Sequence, residues 1–362
     1  MFFLIWPDFN GLLLIFKRAG SEKSRRVEGE FMSNAVPLVE VWRGQFLESI
    51  HTGHAVVCDS RGDIVESWGD PDQVILPRSS AKMIQALPLI ESGAADARGL
   101  VTEHLALACA SHNGAAEHTE RVQTWLSDLG LNDDALRCGP EFPRDTETAN
   151  QMIRAYGSAC QWHNNCSGKH TGFLTLTQHL GAGPEYTFPE HPVQLAVREA
   201  FEDVTGAASP GYGIDGCSAP NFATTVHGMA RAMAFFASAN PDGSVRERAA
   251  VRLRDAMGLH PSLVAGEGRA CTELMRAMGG RVPIKTGAEA VFIAIIPERK
   301  MGVAVKISDG TTRASECVIA AILVRLGVLD PNHPATIARR NPPIPNRRGL
   351  SVGEIRPVSG LF

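Results

Sequence analysis

The 362-residue sequence contains no C-x-x-C pair and no H-E-x-x-H motif, which removes zinc ribbons, thioredoxin-type redox motifs and zincin-type metalloproteases. Its eight cysteines are too few to scaffold a chain of this length with disulfides. Aromatic residues are scarce, at 6%, so little is available for a base-stacking platform. No positive surplus exists either: 35 basic against 39 acidic residues give a formal charge of −4, which argues against nucleic acid as the main partner. The longest apolar stretches fall short of the ~20 residues that span a bilayer, so no membrane partner is expected. What the chain does have is core material, 44% hydrophobic against 20% charged residues, which excludes disorder as the main state.

At roughly 100–200 residues per domain, the length suits two or three domains, or one large domain with a helical subdomain. Residues 1–31 stand apart. They begin with an apolar run broken by Pro7, Asp8, Asn10 and Gly11, and the basic Lys17, Arg18, Lys23, Arg25 and Arg26 come after it. A secretory signal has the opposite order and a small-residue cleavage site. This segment reads as a non-native or mobile extension, with Met32 as a plausible start, and the protein as cytoplasmic.

From Pro37 the pattern becomes regular. Residues 38–43, 54–59 and 63–68 read as strands, the last two joined by an Asp59-Ser60-Arg61-Gly62 turn. Residues 79–91 read as one helix, with Met83, Ile84, Leu87 and Ile90 at helical spacing. Helical patterning dominates residues 102–259. Strands return at 291–296 and 302–307, and an amphipathic helix closes the pattern at 315–326. The Pro- and Arg-rich residues 331–362 read as an extended tail. The expected fold is therefore α+β over residues 32–330: an antiparallel sheet built from N- and C-terminal strands, flanked by helices, with a helical subdomain over about 100–260.

Ser79 and Lys82 form an S-x-x-K pattern, in which a serine attacks a carbonyl and a lysine takes its proton. Alone it is weak, since a helix cap followed by a surface lysine looks the same. Ser111-His112-Asn113 and Lys285-Thr286-Gly287 follow in the order of the S-x-x-K, S-D-N and K-T-G set of serine β-lactamases and penicillin-binding proteins, with His112 in place of Asp. A free lysine titrates near 10.4, and bringing one near 7 costs roughly 4 kcal/mol. Burial and crowding of Lys82, Lys285 and Arg78 act in that direction. The catalytic reading of Ser79 requires it to lie within hydrogen-bonding reach of Lys82 or Lys285.

A second constellation joins Asn165-Cys166-Ser167-Gly168-Lys169-His170 to Asp215-Gly216-Cys217-Ser218. Two cysteines about fifty residues apart are ordinarily buried small residues. Here each sits in a polar, loop-like stretch, where thiolates suit zinc. Gly211-x-Gly213-x-x-Gly216 matches a dinucleotide fingerprint but lacks the strand before it and the helix after it. His104, His118, His179 and His227 share no ligand spacing, and Met229, Met233, Phe235 and Phe236 read as the core face of a helix starting near Pro220.

Taken together, PRSSAK (77–82), ASHNG (110–114), NNCSGKHTG (164–172), DGCSAPNFA (215–223) and KTGAEAV (285–291) resemble the rhizobial-type L-asparaginase II family. The resemblance implies a fold related to serine β-lactamases and glutaminases, and hydrolysis of L-asparagine to L-aspartate and ammonia through a serine acyl-enzyme. It implies Ser79 as nucleophile with Lys82, a second pair of Ser111 and Lys285, and a Zn2+ held by Cys166, Lys169 and Cys217. Arg78, Asn113, His170 and Asp215 become candidates for contacts with substrate or around the metal, and a homodimer is expected. A glutaminase differs by one methylene in its substrate, worth only ~1–3 kcal/mol in a pocket. A β-lactamase-like hydrolase and a non-catalytic binding protein on the same scaffold are the remaining alternatives.

Overall fold

Alternating and continuous apolar runs at the two ends of the chain meet in one sheet. The computed structural model describes residues 34–362, so the readings of residues 1–31 lie outside the described residues. Eight strands build an antiparallel sheet: β1 (Val36–Arg43), β2 (Phe46–Cys58), β3 (Ile64–Trp68), β4 (Ile284–Thr286), β5 (Val291–Ile296), β6 (Met301–Ile307), β7 (Pro343–Pro345) and β8 (Ser351–Pro357). The order is β7-β8-β1-β2-β6-β5-β4, with β3 also paired to β2. All six residues of β5 are buried, as is nearly all of β6, so the sheet centre is covered on both faces. Helix Val226–Ser238 packs against β2, β5 and β6, and helix Thr312–Arg325 against β1, β5, β6 and β8. Gly302 permits the first of these approaches, because a β-carbon there would collide with the backbone of Ala230, Met233 and Ala234. The expected α+β architecture, strands from both ends with a helical middle, is what the chain adopts.

The helical region is pinned by local signals. Asp145 caps Thr146–Arg154, Ser244 and Glu247 form a capping box on Val245–Leu259, and Gly206 ends Pro192–Thr205 in a left-handed turn. Helix Ser167–His179 runs through the interior, with Ser167 to Thr177 all buried. Lys169 and His170 are thereby carried into the core.

Three expectations change. Residues 79–91 do not form one helix. A 3-10 turn (Arg78–Ala81) leads into Lys82–Gln85 and then Leu87–Glu91, because Pro88 lacks the N–H that would continue the ladder. The helix expected from Pro220 starts at Val226, residues Pro220–Phe222 forming a short ribbon with Tyr212–Ile214 instead. Residues 331–362 are not an extended tail. Pro334–Arg340 is helical, and β8 pairs with β1 from Val39↔Pro357 to Arg43↔Gly353. The prolines that suggested a tail sit at or beside β7, the sheet edge, where a missing N–H is tolerated. Residues 34–362 thus form one compact unit.

Truncation after Leu329 is accordingly expected to destabilise the protein severely. Five paired positions of β8, at a net ~1 kcal/mol per hydrogen bond, would be lost together with buried Ile355 and the guanidinium of Arg356 over Trp42, 4.6 Å from the ring centroid. A thermal melt checks this; an unchanged midpoint contradicts the strand's contribution.

Candidate active site

The segment Pro77-Arg78-Ser79 turns sharply. Arg78 adopts a left-handed φ of 54°, a conformation that costs a non-glycine residue of order 1 kcal/mol and persists only where the surroundings impose it. They do so here. The Arg78 guanidinium donates to Asp215 Oδ1 from Nη2 (2.8 Å) and Nε (3.0 Å), and its backbone N–H donates to Asn221 Oδ1 (3.3 Å). Ser80 Oγ is turned inward onto the Pro77 carbonyl at 2.6 Å. Ser79 is left partly exposed on the wall of a cavity of about 520 Å³. On the other side, a β-carbon at Gly287 would lie 2.6 Å from the Pro77 carbonyl oxygen and 3.0 Å from the Ser80 amide nitrogen. Only glycine lets the Lys-Thr-Gly segment dock this closely on the serine turn.

Behind the wall, two lysines converge on one hydroxyl. Lys82, 1% exposed, donates from Nζ to Ser111 Oγ at 3.0 Å, to the Asn165 carbonyl at 3.4 Å and to the Ala110 carbonyl. Lys285, fully buried on β4, donates to Ser111 Oγ at 2.9 Å and to the Thr286 carbonyl at 2.7 Å. Burial, then the positive charge of Lys82, pulls the Lys285 amine down to about 7. Ser111 itself is fixed by its backbone N–H on the Val264 carbonyl, 2.9 Å.

The expected Ser79–Lys82 contact is not made. Among the described residues Ser79 Oγ has no hydrogen bond to Lys82 or Lys285; the serine that both lysines engage is Ser111. Lys82 Nζ is taken up instead by Ser111 Oγ and the Ala110 and Asn165 carbonyls, while Ser79 stays on the cavity wall. Ser111 and Lys285 do pair as expected. Asn113 is not a wall residue of this cavity: its Oδ1 accepts from Ala115 N–H (3.2 Å) and its carbonyl accepts from Arg144 N–H (2.8 Å) and Asp145 N–H (2.9 Å). His112, in the place of the Asp of the β-lactamase set, is buried and kept neutral by burial and by the nearby His118 and Lys82. Its Nε2 engages Ser167 Oγ (2.9 Å), and its Nδ1 accepts from Gly114 N–H (3.1 Å), which ties the serine loop to the interior helix.

The cysteine constellation opens into the same cavity. Cys166 Sγ donates to Asn165 Oδ1 at 3.2 Å, and Lys169 Nζ donates to Cys217 Sγ at 3.2 Å. The neighbouring Cys166 thiol, with the Lys169 charge and the His170 ring, holds Cys217 well below the usual thiol range despite burial, while Cys166 is pushed up. Burial pushes the Lys169 amine down, but the two sulfurs and Asp215 outweigh it and the net shift is upward. Tyr186 Oη accepts from Arg137 N–H (2.7 Å) and is hydrogen-bonded to His170 Nδ1 (2.9 Å), which fixes the ring beside Cys217. Among the described residues no group of three or more His, Cys, Asp or Glu side chains is gathered at metal-binding spacing. Two sulfurs and the Lys169 amine do lie together, a donor set compatible with a soft divalent ion once the amine proton leaves.

The profile of the L-asparaginase II family matches residues 39–357. The chain belongs to the L-asparaginase II family. The L-asparaginase II match runs from β1 to the last residue of β8 and so includes the C-terminal strand. No curated protein matches the chain. Among solved structures, Mglu in its native form is 15% identical over 78% of this chain and 66% of that one, with a TM-score of 0.41. A second Mglu structure is 15% identical over 76% and 67%, TM-score 0.44, and a beta-lactamase from Mycobacterium bovis 14% identical over 75% and 94%, TM-score 0.33. The chain spans 59% to 66% of the length of three Mglu structures. At such TM-scores it is the family match that identifies the chain.

Several wall residues of this L-asparaginase II cavity escaped the sequence reading: Cys138, Glu141, Arg144, Arg269 and Thr312. No local pattern marks Arg269 or Thr312 as facing a site. No helix among the described residues is long and apolar enough to cross a membrane.

Proposed function

We propose that the protein hydrolyses L-asparagine to L-aspartate and ammonia through a serine acyl-enzyme. The observation that carries this reading is the convergence of Lys82 and Lys285 on Ser111 at the edge of the cavity that Ser79 lines. Two ammonium groups on one hydroxyl repel, so one amine sheds its proton, and the buried Lys285 is the one shifted to about 7. The neutral amine draws the Ser111 proton, and Ser111 in turn takes the proton of Ser79 as substrate enters and the contacts tighten. Ser79 then attacks the side-chain amide carbon. The proton returns to the leaving nitrogen, ammonia departs, and the same relay activates a water against the ester. A second reading makes Ser111 the nucleophile, favoured by its direct hydrogen bonds to both amines.

Zinc, held by Cys166, Lys169 and Cys217, would add Lewis-acid polarisation of a substrate oxygen at the cavity wall. The Arg78–Asp215 ion pair keeps the serine turn in register with the Cys217 loop. Cys166→Ala and Cys217→Ala are each expected to lower zinc content well below that of the wild type by elemental analysis; unchanged zinc removes the metal from this site.

Ammonia release from L-asparagine against L-glutamine, with and without a chelator, tests the function. Release from asparagine is the expected result. Preference for glutamine moves the activity to a glutaminase, acylation by a β-lactam without ammonia release moves it to a β-lactamase-like hydrolase, and none of these leaves a binding protein.

A further inference from the structure

The charges in the cavity wall are paired, with one exception. Arg78 is bound to Asp215. Arg144 donates to Glu141 Oε1 at 2.9 Å, and Glu141 Oε2 accepts from the Asn165 N–H (3.0 Å) and side-chain amide (2.6 Å). Lys82, Lys285 and Lys169 are satisfied by Ser111, carbonyls and Cys217. Arg269 lines the same cavity, is half-buried, and among the described residues its guanidinium has no ion-pair or hydrogen-bond partner; only its backbone is engaged, with Gly266 and Glu273. A half-buried guanidinium with no anion bonded to it leaves its donors unused, Glu316 acting on it only through space, and its planar fork matches a carboxylate.

The loop that carries Arg269 is held rigidly. Arg339, from helix Pro334–Arg340, donates to the Gly268 carbonyl at 2.8 Å, to Glu273 Oε2 at 2.6 Å and to Glu316 Oε2 at 3.0 Å. Thr272 Oγ1 donates to the Gly266 carbonyl at 2.6 Å. The guanidinium is therefore presented from a fixed backbone, in the cavity that Ser79 and Ser111 also line. We infer that Arg269 binds the α-carboxylate of a free amino-acid substrate and so restricts the enzyme to amides of free amino acids, excluding asparagine within a peptide or with a blocked carboxyl group. This rests on the amidohydrolase reading above, but it makes a separate claim about binding.

The test pairs L-asparagine with 3-aminopropanamide, which keeps the amine and the amide and lacks the carboxylate, and measures L-aspartate binding by calorimetry. In the wild type asparagine is expected to be the far better substrate. Arg269→Gln is expected to raise KM for asparagine by about 10–100-fold with a smaller change in kcat, to change 3-aminopropanamide turnover by a much smaller factor, set by the loss of a positive charge near Lys285, and to weaken L-aspartate binding by a factor similar to that on KM. Arg269→Lys, which keeps the charge and guards against a folding defect, should recover part of the loss. Equal losses on both substrates, or unchanged aspartate affinity in Arg269→Gln, overturn the assignment. Arg269-dependent aspartate binding without ammonia release would sink the catalytic reading and leave this one standing. A wild type that neither binds aspartate nor hydrolyses asparagine rejects both.

Discussion

Ser79→Ala is expected to lower kcat for ammonia release from asparagine by more than about 10³-fold, the scale on which loss of a nucleophile is felt, with the thermal midpoint and zinc content unchanged. Stability should hold because Ser79 Oγ is partly exposed and makes no hydrogen bond among the described residues; the turn is held by Arg78, Ser80 and Gly287 instead. Ser111→Ala differs in kind. It removes the hydroxyl that receives both Lys82 and Lys285, leaving two buried amines to face each other, so a lower thermal midpoint should accompany a loss of about 10²-fold or more in rate. The two serines are told apart by acid-quenching the wild type during turnover and mapping the acyl adduct by mass spectrometry. An adduct on Ser79 fits the proposed relay. An adduct on Ser111, with substantial activity left in Ser79→Ala, moves the nucleophile one segment along the chain.

Much of this arrangement was legible in the sequence because it depends on short, ordered signals. The strands at 38–43, 63–68, 291–296 and 302–307 came from apolar runs bounded by turn residues, and the sheet gathers all of them. Gly287 and Lys285 were found together because a Lys-Thr-Gly segment carries both the close-approach glycine and the amine. What failed was long-range or depended on side-chain direction. S-x-x-K sets Ser79 and Lys82 one turn apart but does not say which hydroxyl the amine reaches, and Ser111, 29 residues beyond Lys82, takes it. The prolines at 342, 343 and 345 signal an interrupted ladder, but not whether the interruption lies in a tail or on a sheet edge; β1, some three hundred residues away, decides it. Arg269 has no local mark at all, since its place in the wall is set by Arg339, Glu273 and Glu316.

Lys285 gives the second large effect, with opposite signs for activity and stability. As the base it acts when neutral, so with the amine near 7 in the folded protein kcat/KM should rise as pH increases through about 7 and level off above it. Lys285→Met should remove that limb and reduce the rate by about 10²–10⁴-fold, the usual worth of general base catalysis. For stability the unfolded lysine titrates near 10.4 and the folded one near 7, so between these values the unfolded chain binds more protons and stability rises with pH. Below 7 the amine must be carried charged in the core, beside Lys82 and Arg269 and only partly offset by Cys271 and Cys166. That burden is at most about 5 kcal/mol, less whatever the lost bonds to Ser111 and Thr286 contributed. Lys285→Met should therefore melt higher than the wild type at pH 6, and the gap should close as pH approaches 10. A wild-type profile flat from pH 6 to 8, or a variant that melts lower at pH 6 and stays lower at every pH, would mean that Lys285 is held charged in the folded protein and that the base must be sought at Lys82.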